Sequence, residues 1–144
     1  MTRQKITTFL WFDNQAEEAA NFYVSLFKNS RVTSVNPMIV TFELAGVPYI
    51  ALNGGPMFKF NEAISLSVDC ADQAEVDDLW EKLTSNGGSP SQCGWLKDKY
   101  GLSWQIVPSV LSKLLSDPSG RVMQAMLQMS KLEIQKLQDA YDGK

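Results

Sequence analysis

Gln92-Cys93-Gly94-Trp95-Leu96-Lys97-Asp98-Lys99-Tyr100-Gly101-Leu102-Ser103-Trp104-Gln105-Ile106-Val107-Pro108 reads as a strand, a tight turn and a returning strand. Asp98-Lys99-Tyr100-Gly101 supplies the turn, because Gly101 takes a positive φ without a Cβ clash. Side chains alternate along the second strand. Leu102, Trp104 and Ile106 share one face, and Ser103, Gln105 and Val107 share the other. Pro108 has no N–H to donate and ends the ladder. Two tryptophans, a cysteine and a glutamine in one short hairpin are more chemistry than a bare hairpin needs.

Upstream of the hairpin, residues 62–69 form a strand with the same asymmetry. Ile64, Leu66 and Val68 make an apolar face, and Ala63, Ser65 and Ser67 a small, polar one. A sheet with helices on one side and a ligand cavity on the other shows this contrast, since hydroxyl side chains leave room and supply hydrogen bonds. A sheet face open to water shows it too. Asp72, with Glu75 in the capping-box position, starts a helix whose apolar stripe is Val76, Leu79, Trp80 and Leu83. Asn86-Gly87-Gly88 ends that helix, and residues 89–96 extend into the hairpin. The order of this block is β-α-β-β-β.

The first block has the same order. Residues 5–13 alternate as a strand, with Ile6, Thr8, Leu10 and Phe12 on one side and Thr7, Phe9 and Trp11 on the other. Asn14 and Glu17 read as a capping box, followed by Ala16, Ala19, Ala20, Tyr23, Leu26 and Phe27 at helical spacing. Residues 31–35, 38–44 and 47–53 read as three strands, the last two joined by a turn at Ala45-Gly46. The repeat lies in the order of elements rather than in residue identity. Beyond Pro108 the pattern is helical, with Val110, Leu111, Leu114 and Leu115, then Met123, Met126 and Leu127, then a segment capped by Ser130 with Ile134, Leu137 and Tyr141 inward. The methionine stripe reads as docked on the protein's own sheet, or else as a partner surface. The expected fold class is α+β in a single domain, 1–144. Module one spans 1–56, module two 57–108, and a C-terminal helical extension 109–144.

A formal net charge of −3 over 144 residues, without a Lys/Arg cluster, argues against a nucleic-acid partner. No apolar run approaches the roughly 20 residues that span a bilayer, so no membrane partner is expected. The first residues run straight into a strand without a signal-peptide apolar segment, which makes a cytoplasmic location the expectation. The two cysteines, Cys70 and Cys93, are expected to be reduced there. The chain contains no histidine, which excludes Ser-His, Cys-His and His-metal arrangements within it.

The remaining chemistry is carried by a few groups. Cys93 is a nucleophile if a cation or helix N-terminus lowers its pKa, and otherwise a small strand hydrophobe. Glu43 or Glu62 is a general base if it faces a cavity, and otherwise a solvated strand-edge carboxylate. Asn53-Gly54-Gly55-Pro56 leads into Phe58 and another strand, which suits a connector better than a phosphate loop. Trp95, Phe12 and Phe58 are aromatics near the polar faces and suit a stacking wall.

Taken together, the residues resemble a known family. The two β-α-β-β-β modules, with Asn21-Phe22-Tyr23 in the first helix, are similar to the vicinal oxygen chelate superfamily of glyoxalase I, extradiol dioxygenases and bleomycin-resistance proteins. Leu10-Trp11-Phe12-Asp13 with Ala16-Glu17-Glu18-Ala19, Phe27-Lys28-Asn29-Ser30, Leu52-Asn53-Gly54-Gly55-Pro56, Gln92-Cys93-Gly94-Trp95-Leu96-Lys97-Asp98 and Arg121-Val122-Met123-Gln124-Ala125-Met126 resemble its PhnB-like branch, often labelled demethylubiquinone methyltransferase. The resemblance covers nearly the whole chain. It implies paired modules around a cupped mixed sheet with helices outside, assembled as a homodimer. The connections at Val35-Asn36-Pro37 and Asp117-Pro118-Ser119-Gly120 are shorter than that branch usually carries.

Metal-dependent members place ligands at positions that align here with Thr8, Ala51, Ala63 and Gln105. Alanine cannot coordinate and glutamine is a weak oxygen ligand, so the expectation is no metal and no cofactor. A methyltransferase that binds S-adenosylmethionine uses a glycine-rich loop after its first strand. Here Asp13-Asn14-Gln15-Ala16 stands in that place. The resemblance points Gln105 into the cup, with Thr8 and Asn53 as further hydrogen-bond partners. The expected ligand set is thus Thr8, Phe12, Asn53, Phe58, Ser65, Trp95 and Gln105. The expected function is metal-free binding of a small organic molecule. The alternative is a metal-independent isomerase or lyase that uses Glu43, Glu62 or Cys93.

Overall fold

In the computed structural model, residues 4–144 are described. The chain divides into a unit that ends at Phe60 and a unit from Asn61 to Lys144. The first contains β1 (Thr8–Phe12), α1 (Ala16–Val24), β2 (Arg31–Val35), β3 (Ile39–Leu44) and β4 (Val47–Asn53). The strands lie in the order β1-β4-β3-β2, with β1 parallel to β4 and the other pairs antiparallel. The alternation in β1, β3 and β4 gives the sheet one apolar face. Leu10, Phe12, Val40, Phe42, Leu44 and Ala51 are buried on it, together with Ala16, Ala19, Ala20 and Tyr23 of α1. The three alanines let the helix approach closely, and Tyr23 contacts Phe42, which stacks on Tyr49 at 5.6 Å.

The start of α1 corrects the local reading of the sequence. Neither Asn14 nor Gln15 caps it by side chain. The cap comes from the end of β4, where Asn53 Oδ1 accepts from Ala16 N at 2.8 Å. Asn53 Nδ2 donates to Pro37 O at 3.1 Å. The short β2–β3 connection is closed by Asn36, whose Oδ1 accepts from Met38 N at 3.0 Å and Ile39 N at 2.9 Å. This Asx turn needs no longer loop.

The second unit contains β5 (Ser65–Cys70), α2 (Gln73–Thr84), β6 (Ser89–Pro90), β7 (Trp95–Lys97), β8 (Ser103–Pro108), α3 (Leu111–Leu115), α4 (Arg121–Leu127) and α5 (Ile134–Asp142). Its sheet runs β5-β8-β7-β6 with β5 parallel to β8. The architecture is therefore α+β, built on two four-stranded mixed sheets, with helices following the second. Val76, Leu79 and Leu83 of α2 are buried, as are Leu96, Trp104 and Ile106 of the sheet. Asp72 caps α2 as read, with Glu75 N donating to Asp72 Oδ1 at 2.9 Å and Ala71 N to Glu75 Oε1 at 2.7 Å.

Three expectations need correction here. β5 begins at Ser65 rather than at residue 62, and Ile64 is exposed ahead of it. The strand expected over 89–96 is broken, because Ser91 to Gly94 leave the sheet. Cys93 N donates to Met129 O and Gly94 N to Ser130 O, both at 2.8 Å, so the C-terminal extension takes the backbone donors that a strand partner would use. Ser130 does not cap α5. Its hydroxyl donates to Ser91 O, and Ile134 N donates instead to Gln73 Oε1 at 2.7 Å. Leu111, Leu114, Val122, Met129, Leu132 and Leu137 form the core of the extension, against which Met126 packs. Met123 and Leu127 stay exposed, and so does Tyr141. Among the described residues no helix is long and apolar enough to cross a membrane.

Candidate functional site

The register of the second sheet assembles a polar group on the face away from α2. Trp95 lies opposite Gln105, Lys97 opposite Ser103, Ser65 beside Ser103, and Ser67 beside Gln105. Gln105 Nε2 donates to Ser65 Oγ at 3.0 Å. That bond orients the amide, and among the described residues its carbonyl oxygen takes no hydrogen bond. Ser103 is fully buried. Its hydroxyl is the one buried side-chain polar atom without a hydrogen-bond partner among the described residues. A buried hydroxyl of this kind calls for a water or a ligand atom. Trp95 supplies an aromatic surface beside these groups.

Asp98 fixes the strand that carries Ser103 and Gln105. It is buried, and it accepts from Tyr100 N at 2.8 Å, Leu102 N at 3.1 Å and Trp104 Nε1 at 2.9 Å. The sequence marked Asp98 only as a turn residue. The Trp six positions on was the available signal, since it brings an N–H that needs an acceptor once buried.

The catalytic candidates fare differently. Glu62 is exposed and ion-paired to Lys97 at 2.8 Å, and that hydrogen bond holds its carboxyl below the ordinary glutamate value. A group held ionised this way is a poor proton acceptor at neutral pH. Cys93 is half-buried at φ 59°, in a turn whose backbone anchors the extension. Burial first, and the charges of Glu75 and Asp69 after it, push the Cys70 thiol up to about 12.

In the first unit, Thr8 is in register with Tyr49 and shares the α1 side with Leu10 and Phe12. Phe12 is 2% exposed and sits edge-on to Phe60 at 5.3 Å. Thr8 and Phe12 thus face the helix rather than the open side, because the apolar half of the alternation is the half that α1 covers. Asn53 is taken up by its cap and its bond to Pro37. Phe58 lies edge-on to Trp11 at 4.9 Å, and Trp11 Nε1 donates to Gly55 O at 2.9 Å. A Cβ on Gly54 would lie 2.4 Å from the Trp11 ring. The Asn53-Gly54-Gly55 segment is therefore the seat of Trp11, and Gly54 N and Gly55 N already donate to Phe12 O and Asp13 O. Of the seven expected ligand residues, Ser65, Trp95 and Gln105 come together.

Glu43 lies on the open side of the first sheet. A hollow of about 710 Å³ opens there, with Thr7, Thr33, Thr41, Glu43, Pro48 and Ile50 among its walls. Glu43 Oε1 accepts from Arg31 Nε at 3.2 Å.

The residues do not fit a metal centre of the superfamily's kind. Thr8 and Ala51 face α1, Ala63 precedes β5, and only Gln105 is on an open face. No group of three Cys, Asp or Glu side chains that could hold a metal ion forms among the described residues.

The family model described as 3-demethylubiquinone-9 3-methyltransferase matches residues 4–107. The fold is also similar to a PhnB protein from Bacillus cereus, at 36% identity and a TM-score of 0.69, over 73% of this chain and 99% of that one. A glyoxalase-related enzyme from Fulvimarina pelagi shares the fold at 16% identity and a TM-score of 0.52, over 73% and 88% of the two chains. A glyoxalase/bleomycin resistance protein from Albidiferax ferrireducens shares it at 13% and 0.53, over 73% and 98%. No curated protein matches the sequence.

Proposed function

The chain belongs to the 3-demethylubiquinone-9 3-methyltransferase family, the PhnB-like branch of the vicinal oxygen chelate fold, and from that premise we propose that it binds a small organic molecule without a metal ion. The observation that carries this reading is the Gln105–Ser65 pair beside the unpartnered hydroxyl of Ser103. A few oriented polar groups next to an aromatic wall are what a small-molecule site requires. Gln105 offers its carbonyl oxygen, Ser103 a hydroxyl, and Trp95 a surface for an aromatic or planar body. A methyl-transfer reading lacks support, since the backbone N–H groups of Gly54 and Gly55 are already bonded within the first unit.

Of the three candidates for the alternative isomerase or lyase, Glu43 lines a hollow beside Arg31, Glu62 is exposed and ion-paired to Lys97, and Cys93 sits in the turn that anchors the extension. The binding reading is therefore preferred. In it the protein acts as a cytoplasmic homodimer without a cofactor. The exposed Phe9, Met38, Met57 and Phe58 support an apolar contact surface.

The test is a pair of crystal structures, wild type and Gln105→Leu, each purified from the protein's own host. The expected result is an organic molecule against Trp95, within hydrogen-bond distance of Gln105, in the wild type alone. A metal ion on Gln105, or density confined to another part of the fold, contradicts the reading.

A further inference from the structure

The hollow on the open side of the first sheet has a donor–acceptor balance that selects a ligand. β2 carries a bulge between Val32 and Ser34, so two consecutive residues face Thr41. Thr33 Oγ1 and Ser34 Oγ each lie 2.6 Å from Thr41 Oγ1. A hydroxyl has one hydrogen and two lone pairs. Two bonds among three hydroxyls thus leave one hydrogen to give and four lone pairs to fill. Glu43 adds a carboxylate to the same wall and, among the described residues, accepts one bond, from Arg31 Nε at 3.2 Å. That separation is longer than the roughly 2.7–2.9 Å of a strong charge-assisted bond. Arg31 sits on an edge strand with its side chain 69% exposed, so water replaces Glu43 as its partner at little cost. Ile50 and Pro48 supply an apolar floor.

We propose that this hollow is a recognition site for a primary ammonium group on an apolar body, with the ammonium taking Arg31's place on Glu43 and donating to the Thr33–Thr41 hydroxyls. An ammonium has three donors and no acceptor, which is the complement of this wall. A carboxylate ligand would meet Glu43 and an excess of lone pairs. The body of the ligand lies on Ile50 and Pro48. The site shares no residue with the Gln105 group, so Gln105→Leu leaves it intact.

The test is an amide-NMR titration at neutral pH with three probes of one shape: benzylamine, benzyl alcohol and benzoate. Benzylamine gives saturable shifts at Thr33, Thr41 and Glu43. Benzyl alcohol binds about tenfold more weakly, the difference expected when a charged hydrogen bond becomes a neutral one. Benzoate gives no shift there. Glu43→Gln weakens benzylamine about tenfold, on the same grounds. Arg31→Ala strengthens it, because a competitor is gone. Benzoate binding as well as benzylamine, weaker binding in Arg31→Ala, or no saturable shift at those three amides overturns the proposal.

Discussion

Asp98 holds three donors where water does not reach, and it links the turn to the buried ring of Trp104. Asp98→Ala removes the buried acceptor that Trp104 Nε1 and Leu102 N use. A buried unsatisfied donor costs about 1–3 kcal/mol. Urea unfolding is therefore expected to show a loss of about 3 kcal/mol, with a smaller loss for Asp98→Asn, which keeps one carbonyl oxygen. An unchanged midpoint in Asp98→Ala would remove Asp98 as the organiser of β8. The sequence made Gly101 and the alternation of β8 legible, because both are local. The buried role of Asp98 was not legible, since a turn aspartate exposed to water has the same sequence. Thr8 and Phe12 illustrate the opposite limit. Their alternation could be read, but which side the helix covers depends on residues far along the chain.

Helix starts show how far local patterns reach. Asp72 caps α2 through neighbours three residues away, and the sequence states it directly. The caps read at Asn14 and Ser130 are replaced by Asn53 and Gln73, which lie 37 and 61 residues from the N–H groups they satisfy. Such caps arise from tertiary packing and leave no periodic trace. Gln73 has a second role, since its Nε2 donates to Leu132 O at 3.1 Å as its Oε1 accepts from Ile134 N. Lys131 adds an ion pair to Asp77 at 2.7 Å, and that contact, with the Gln73 bond, holds the Asp77 carboxyl below its ordinary value. The extension is thus tied to α2 at three adjacent points. Gln73→Leu removes both backbone partners and is expected to speed amide exchange across α5 selectively, by local opening. Uniform acceleration over the second unit would mean that Gln73 supports the whole core instead.

At the scale of the molecule, the two β-α-β-β-β blocks were legible because each is a run of short-range signals in a fixed order. The extension was legible as helices but not as a clamp. It lies beyond residues 4–107, which the family model matches, and its core of Leu111, Leu114, Val122, Met129, Leu132 and Leu137 packs with Val107. Backbone bonds from Cys93 and Gly94 to Met129 and Ser130 join it to the hairpin that carries Gln105. Of the four positions aligned with the superfamily's metal ligands, two are alanines, Thr8 lies on the helix side and Gln105 alone is on an open face, so the proposed recognition is assigned to hydroxyls, an amide and a tryptophan. Native mass spectrometry of the protein purified from its own host, before and after dialysis against EDTA, tests that account most directly. The expected result is an organic adduct whose occupancy is the same in both samples. A chain at its bare mass, or an adduct that leaves together with a metal ion, contradicts it.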